Sequence, residues 1–448
     1  MSKNMQGILI GVIILAVVGF GLWYSQNTSQ DVSSSGKTNY ENVDPSGVTI
    51  NYWYQHTRSR EEALTKIIDD FNSSNEWGIT VNGSHQGHYG QIYEKMLTVV
   101  GTPEVPDIVV AYQNQAADFY LANEGVIDMR PLVGSKKWGL SDEELSDFYP
   151  AFISQDIFPS LGGVRLGFPP KRSMELLYYN VDWLAELGFS GPPKTPEEFL
   201  EIACAAKEKP FSKATTPESS VGWLIDIDAS TFASLTFAYG GDVFDKDKVQ
   251  YTYNSSAAVK AGELLSELSS KGCMKTFTEK YANQTEYGAG NAMFSISSIS
   301  GLKYYRSAVE KGANFNWNVG PLGHSTPEPR QNLYGASLSI GNSGDSKKQL
   351  AAWLFMKHFT SPDQQSFWAE KSGYFPSRKS VSKIMTMTPQ YKEGFSLLKY
   401  SMSEPAVPAY DVVRGEVEDV MAEIIKGGDV ESLLNELNKK ANEILSDI

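Results

Sequence analysis

The chain has 448 residues, too many for one ordinary domain, and its 41% hydrophobic and 21% charged content is that of a folded protein with a sizeable core. A formal net charge of −14 with no clustered basic face excludes nucleic acid as a partner, because phosphate neutralisation needs such a face. Aromatic residues make up 12%, with 23 tyrosines and 9 tryptophans, a supply that suits a ligand cleft.

Residues 7–24 are 18 consecutive uncharged positions preceded by Lys3, either the apolar core of a secretory signal or a short membrane anchor. No small-x-small cleavage site is evident. The run ends on Trp23 and Tyr24, rings that sit well at a bilayer interface, which favours an uncleaved anchor with its N-terminus inside. Either way the body of the protein is expected on the extracytoplasmic face of the membrane. Residues 25–47, rich in Ser, Asn, Asp and Gly without a hydrophobic period, read as a flexible linker.

From Val48 the pattern is α/β. A strand run at 48–54 precedes a Ser59/Glu62 capping-box pair and a helix with Ala63, Leu64, Ile67, Ile68 and Phe71 on one face. A short strand at 79–81 leads to a second amphipathic helix through Ile92, Met96 and Val100, then to a buried strand at 107–112 and a helix at 116–123 closed by Gly125. This alternation implies βαβ units and mainly parallel sheets. Further on, Ser141 and Glu144 open a helix, 164–168 is a strand, and 176–180 is a strand running into a short helix that closes at Gly188. Thr195, Pro196 and Glu198 supply N-cap, first-turn and N3 residues for the next helix. A strand at 333–340, a helix from Asp345 to about Phe359 and a helical tail from Val417 complete the outline. Of the two cysteines, Cys204 lies in a helical pattern and reads as a small core residue, with a Cys204–Cys273 bridge as the lesser alternative; neither follows the apolar run closely enough for lipid attachment.

Several short motifs occur in one order over more than 300 residues: Phe71-Asn-Ser-Ser-Asn75, Gly87-His-Tyr89, Pro106-Asp-Ile-Val109, Leu177-Tyr-Tyr-Asn180, Pro193-Lys-Thr195, Gly290-Asn-Ala-Met293, Gly335-Ala-Ser-Leu338 and Ser372-Gly-Tyr-Phe-Pro376. In this order they resemble the extracellular solute-binding proteins of ABC importers. The Gly-x-Tyr and Gly-Ala-Ser-Leu pieces are most similar to the glycerol-3-phosphate-binding members, relatives of the maltose-binding type. The resemblance implies a two-lobed α/β fold of the type II periplasmic-binding-protein kind, with mainly parallel sheets. Hinge strands would cross near 169–175, 334–338 and 373–377. Lobe 1 would comprise 48–171 and 336–376, and lobe 2 would comprise 172–335 and 377–448. It further implies a monomeric protein that captures a sugar, polyol or phosphorylated polyol, alters nothing, uses no cofactor or metal, and delivers the solute to a membrane permease.

The family's ligand residues fall on Tyr89, Ser173, Ser297, Gly335, Tyr374 and Arg414, and a family glutamate is replaced here by Gln113. Close relatives carry a tryptophan after Lys-Thr where this chain has Pro196; Trp53, Trp223 or Tyr239 are the available substitutes. The residue types suit a polyol: hydroxyls and an amide both donate and accept, and the Arg414 fork matches phosphate or carboxylate. Two rival readings stand beside this one. A secreted carbohydrate-active hydrolase would use paired carboxylates, yet none stands out in a motif, and no Gly-x-Ser-x-Gly, phosphate-loop or His-Glu-x-x-His pattern occurs. A tethered sensory receptor of the same fold would share the anchor and linker. The His85-x-x-His88 pair has metal-like spacing but no third ligand nearby.

Overall fold

A computed structural model describes residues 38–448 other than 278 and 280. The apolar run at 7–24 and the first part of the expected linker lie outside the described residues; among the described residues no helix is long and apolar enough to cross a membrane. The last part of that linker departs from expectation. Tyr40 is buried and donates to Gln349 (2.7 Å), Trp138 Nε1 donates to the Tyr40 carbonyl (2.9 Å), and Glu41 accepts from Ser135 and from the Lys136 and Lys137 amides. A buried ring and the acid beside it dock this polar stretch, which composition alone does not show.

Two sheets organise the chain. Their strands are β1 (Thr49–Tyr54), β2 (Thr80–His85), β3 (Ile108–Ala111), β4 (Ser173–Asn180), β5 (Val221–Ile225), β6 (Met274–Thr276), β7 (Ala292–Ser298), β8 (Trp317–Gly320), β9 (Gln331–Tyr334), β10 (Ser337–Ile340) and β11 (Ser401–Met402). The first sheet has the order β10-β3-β1-β2, parallel except for β10 against β3. The second has the order β6-β5-β7-β4-β9-β11, with β8 also pairing with β4. Here β4 runs antiparallel to β7, β8 and β9, so this sheet is mixed, while β5, β6 and β7 are mutually parallel.

Each sheet is covered by helices and has its own apolar core, one centred on Tyr52, Val109, Trp353 and Phe355, the other on Leu177, Trp183, Trp223 and Phe294. Both β3 and β4 are buried along their whole length; the uninterrupted apolar run of β3 is that of a strand covered on both faces, while β4 also buries Ser173, Glu175 and Asn180. The first helix, Ser59–Ser74, buries Ala63, Leu64, Ile67, Ile68 and Phe71, the face that periodicity assigns. Its expected cap does not form: Ser59 is already helical, Arg58 is the N-cap without a side-chain bond, and the Ser59 hydroxyl accepts instead from Lys303 (2.9 Å). The Ser141/Glu144 box does form, and Thr195 accepts from the Glu198 amide (3.2 Å) to start helix Pro196–Glu208. The expected helix at 116–123 is Gln113–Leu121, so Gly125 is not its cap. The strand expected at 164–168 is a two-residue strand at Val164–Arg165, with Phe168 bridging separately to Leu338.

The cysteines are paired. Cys204 on helix Pro196–Glu208 and Cys273 just before β6 form a disulfide with Cα atoms 4.7 Å apart. The helical pattern around Cys204 is real; its helix packs on β5, the strand beside which β6 pairs, and this brings Cys273 to Cys204, which a one-dimensional pattern does not reveal.

Where the chain passes between the sheets, its segments lie side by side. Phe168 and Leu338 exchange main-chain hydrogen bonds, as do Arg172 and Phe375. The run expected at 333–340 as one strand is two, β9 in one sheet and β10 in the other, broken at Gly335 (φ 145°).

Candidate functional site

Under the crossings lies a buried polar knot. Arg172 is 0% exposed and donates to Asp156 (3.0 Å), to the Phe152 carbonyl (2.8 Å) and to Ser337 (2.9 Å). Asp156 also accepts from Ser337 (2.8 Å) and from Gln113 Nε2 (2.9 Å), and Gln113 reaches the Gly335 carbonyl (3.3 Å). Gln113 is therefore spent on the hinge. An amide fits there because it donates to Asp156, where a carboxylate would repel it. A Cβ on Gly335 would stand 3.3 Å from Arg172 Cα and 3.5 Å from the Ser173 nitrogen, so glycine lets two crossing segments touch.

The first lobe contributes residues from the carboxyl ends of its parallel strands, where α/β sheets bind ligands. Gln55 and His56 follow β1, and Tyr112 follows β3. Tyr89 begins helix Tyr89–Val99 behind the N-cap His88, whose ring accepts from Gln91 while the Gln91 amide returns to His88. That cap fixes the Tyr89 position. Its hydroxyl accepts from Gln55 (2.7 Å) and faces Tyr374, and its ring lies 4.8 Å from that of Tyr112. Burial, with Tyr374 and Tyr112 alongside, pushes the Tyr89 phenol well above its ordinary range, so it stays protonated.

The second lobe answers with hydroxyls and acids. Ser173 at the head of β4 bonds to Ser298 at the end of β7; Ser298 also bonds to Ser300 (2.8 Å) and to Tyr334. Ser297, one residue earlier, lies on the opposite side near Tyr305, whose hydroxyl bonds to Ser295 (2.6 Å). Two residues beyond Ser173 on the same face, Glu175 accepts from Thr231 (3.1 Å) and Ser234, and burial pushes its carboxyl up to about 8. Arg414, on helix Tyr410–Ile425, donates to Glu404 (2.6 Å), Asp228 (3.1 Å) and Ser230 (3.0 Å). Burial works against its charge, yet Asp228 and Glu404 hold it well above the ordinary guanidinium range.

Of the residues singled out by sequence, Tyr89 and Tyr374 meet directly. Ser173, Gly335 and Gln113 line or brace the crossings behind them. Tyr112 connects this group to Arg414, feeling the charges of Arg414, Asp228 and Glu404. Ser297 does not join the group. Tyr112, Ser298, Tyr334, Glu175 and Asp228 do, and each stands next to or two residues from a motif residue, or caps the adjoining helix Ala229–Ala238. Pro196 sits with Phe199, Leu235 and Tyr239 around a small apolar pocket, and Trp223 is inside the second core, so neither Tyr239 nor Trp223 joins these cleft contacts. His88 serves as a helix cap, and among the described residues no group of three His, Cys, Asp or Glu is placed to hold a metal ion.

Known proteins share this architecture. Residues 66–395 match the family described as bacterial extracellular solute-binding protein. The sn-glycerol-3-phosphate-binding periplasmic protein UgpB of Shigella flexneri is 24% identical over 339 residues, covering 74% of this chain and 75% of that protein, and its counterpart in Escherichia coli K12 gives the same figures. Among solved structures, UgpB from Mycobacterium tuberculosis in complex with glycerophosphocholine superposes with a TM-score of 0.75 at 19% identity, over 89% of this chain and 98% of that one. Maltose-bound MalE3 of T. maritima gives 0.74 at 20% identity, over 89% and 100%. The two-sheet body and its crossings thus agree with the residue-level match: this chain belongs to the bacterial extracellular solute-binding protein family.

Proposed function

We propose that this protein is the extracytoplasmic substrate-binding component of an ABC importer. It captures a small polyhydroxylated solute (a sugar, polyol or phosphorylated polyol) between its lobes and hands it unaltered to a membrane permease. In this reading it acts as a monomer held at the membrane by residues 7–24. The supporting observation is the convergence of phenol and serine hydroxyls from both lobes and the crossings, Tyr89, Tyr112, Ser173, Ser298, Tyr334 and Tyr374, in one place. Each can donate and accept, which is the mixed pattern a polyol presents. A protonated Glu175 adds a further donor at neutral pH. Tyr89 and Tyr374 contact the solute directly, with Ser173, Gly335, Gln113 and Arg414 shaping or lining its surroundings.

Calorimetry with glycerol 3-phosphate, glycerophosphocholine and maltose tests this. We expect micromolar or tighter binding of at least one, about −8 kcal/mol or more, with recovery of the unchanged compound. Failure of all three to bind, together with turnover of a glycoside or phosphodiester, would replace the importer reading by the hydrolase one.

A further inference from the structure

One corner of the cleft collects basic side chains that form no ion pair among the described residues. Arg60, in the first turn of helix Ser59–Ser74 in lobe 1, donates across the cleft to the Ser300 carbonyl (2.7 Å) and to that of Ser372 (3.1 Å). Lys303, on helix Leu302–Lys311 in lobe 2, reaches back to Ser59 (2.9 Å) and the Lys371 carbonyl (2.7 Å). Both lie against Tyr304, Arg60 at 5.5 Å and Lys303 at 5.1 Å from its ring. Lys171, 1% exposed on the first crossing, has His56 Nε2 as its polar neighbour (3.0 Å). Arg60 and Lys171 each stand 4.8 Å from the Tyr374 ring. Burial pushes the Lys171 ammonium well down, and the charges acting on it, Arg60 and Arg172, push the same way. Lys303 is lowered chiefly by burial; Tyr304 opposes this, and Arg60 adds a lesser downward push.

The other end of the cleft is the reverse. Arg414 is shared between Asp228 and Glu404, and Glu418 adds a third carboxyl, pushed up to about 7 by burial and by Asp228. An anion arriving there meets a guanidinium already compensated twice over.

Lobe contact brings Arg60 and Lys303 from opposite sides onto one tyrosine, where the Arg60 charge acts on Lys303, so it costs Coulomb energy that a bound anion would reverse. We propose that Arg60, Lys303 and Lys171 form the anion-recognising corner of the cleft. It takes the phosphate or carboxylate of the solute beside Tyr374, and this corner rather than Arg414 decides between charged and neutral ligands. The inference builds on the solute-binding reading but makes a separate demand on the molecule.

Inorganic phosphate probes the corner alone, and maltose, glycerol 3-phosphate and gluconate probe the cleft. Phosphate should raise the melting temperature of wild type beyond an equal concentration of chloride, and that increment should vanish in Arg60→Gln/Lys303→Gln while surviving in Arg414→Gln. The affinity ratio of glycerol 3-phosphate or gluconate to maltose should fall at least tenfold in the double variant; which of the two anions falls further tells phosphate from carboxylate. Lys171→Met, close to isosteric at a buried position, should lower the ratio without loss of folding by circular dichroism. Phosphate stabilising neither protein, or both alike, overturns the corner. A phosphate response that depends on Arg60 and Lys303 in a protein that binds none of the three solutes leaves the corner standing and breaks the solute reading instead.

Discussion

Asp156 is the residue whose loss should cost most for its size. Its carboxylate, 2% exposed, accepts from Arg172 Nη2 (3.0 Å), Gln113 Nε2 (2.9 Å) and Ser337 Oγ (2.8 Å). Replacing it by alanine leaves the 0%-exposed Arg172 guanidinium with the Phe152 and Lys171 carbonyls and Ser337, but without a counter-charge. Removing one partner of a buried ion pair costs about 3–5 kcal/mol, whereas replacing both by apolar side chains of similar volume is often neutral. Asp156→Ala should therefore destabilise by about that much, and Asp156→Leu/Arg172→Met should recover most of it. Urea unfolding followed by tryptophan fluorescence and by far-ultraviolet circular dichroism reports both values, with coincident curves as the check on two-state behaviour. A cost below about 1 kcal/mol for Asp156→Ala would show that the pair is not desolvated as its burial implies. A double variant no better than the single one would show that packing, not charge, holds the crossings.

Reducing the Cys204–Cys273 bridge frees a loop with a sequence separation of 69. The loop-entropy relation puts the loss near 4 kcal/mol, so dithiothreitol or Cys204→Ser/Cys273→Ser should lower the urea midpoint markedly; equal midpoints, or free thiols titrated in the native protein, would refute the bridge. Glu175 carries a sign that can be checked. Its folded pKa, about 8, lies above the ordinary 4.5, so its contribution is fully present below about 4.5 and is lost as pH rises through 8. The stability of wild type relative to Glu175→Gln should then fall steadily across that window and level off above it. A difference that is flat, or that grows with pH, would mean the carboxyl is ionised and paired in the folded protein.

Much of the architecture was legible because it is periodic. The apolar face of Ser59–Ser74, the Ser141 and Thr195 caps and the buried runs of β3 and β4 follow from spacing alone. The motif order led to the neighbourhood of the cleft: Tyr89 and Tyr374 are in contact although 285 positions apart, and no local pattern predicts that. What escaped was pairwise. Asp156 and Arg172 look like ordinary surface charges until their burial is known. Arg414 reads as a free fork until Asp228 and Glu404 are seen beside it. On β7 the alternation that sends Ser298 to Ser173 sends Ser297 to the side of Tyr305, so an offset of one residue exchanges one neighbour for another. The Cys204–Cys273 pairing and the docking of Tyr40 are likewise facts about partners, and composition is silent on partners.

The solute contacts proposed on the crossings would have a mechanical consequence. Ser173, Gly335 and Tyr374 each lie on a different segment that passes between the lobes, and Arg172 ties those segments together from below. A ligand shifts a two-state equilibrium only by its differential affinity for the two states. Contacts confined to one lobe's outer rim would be the same open or closed and would shift nothing. Contacts on the crossings, and on Arg60 and Lys303 reaching from opposite lobes, change as the lobes move, so they are the ones able to convert occupancy into closure. On this view the hydroxyls of Tyr89 and Ser173 select a polyhydroxylated solute, while the charge at the Arg60 corner determines whether the lobes stay shut around it long enough to be delivered.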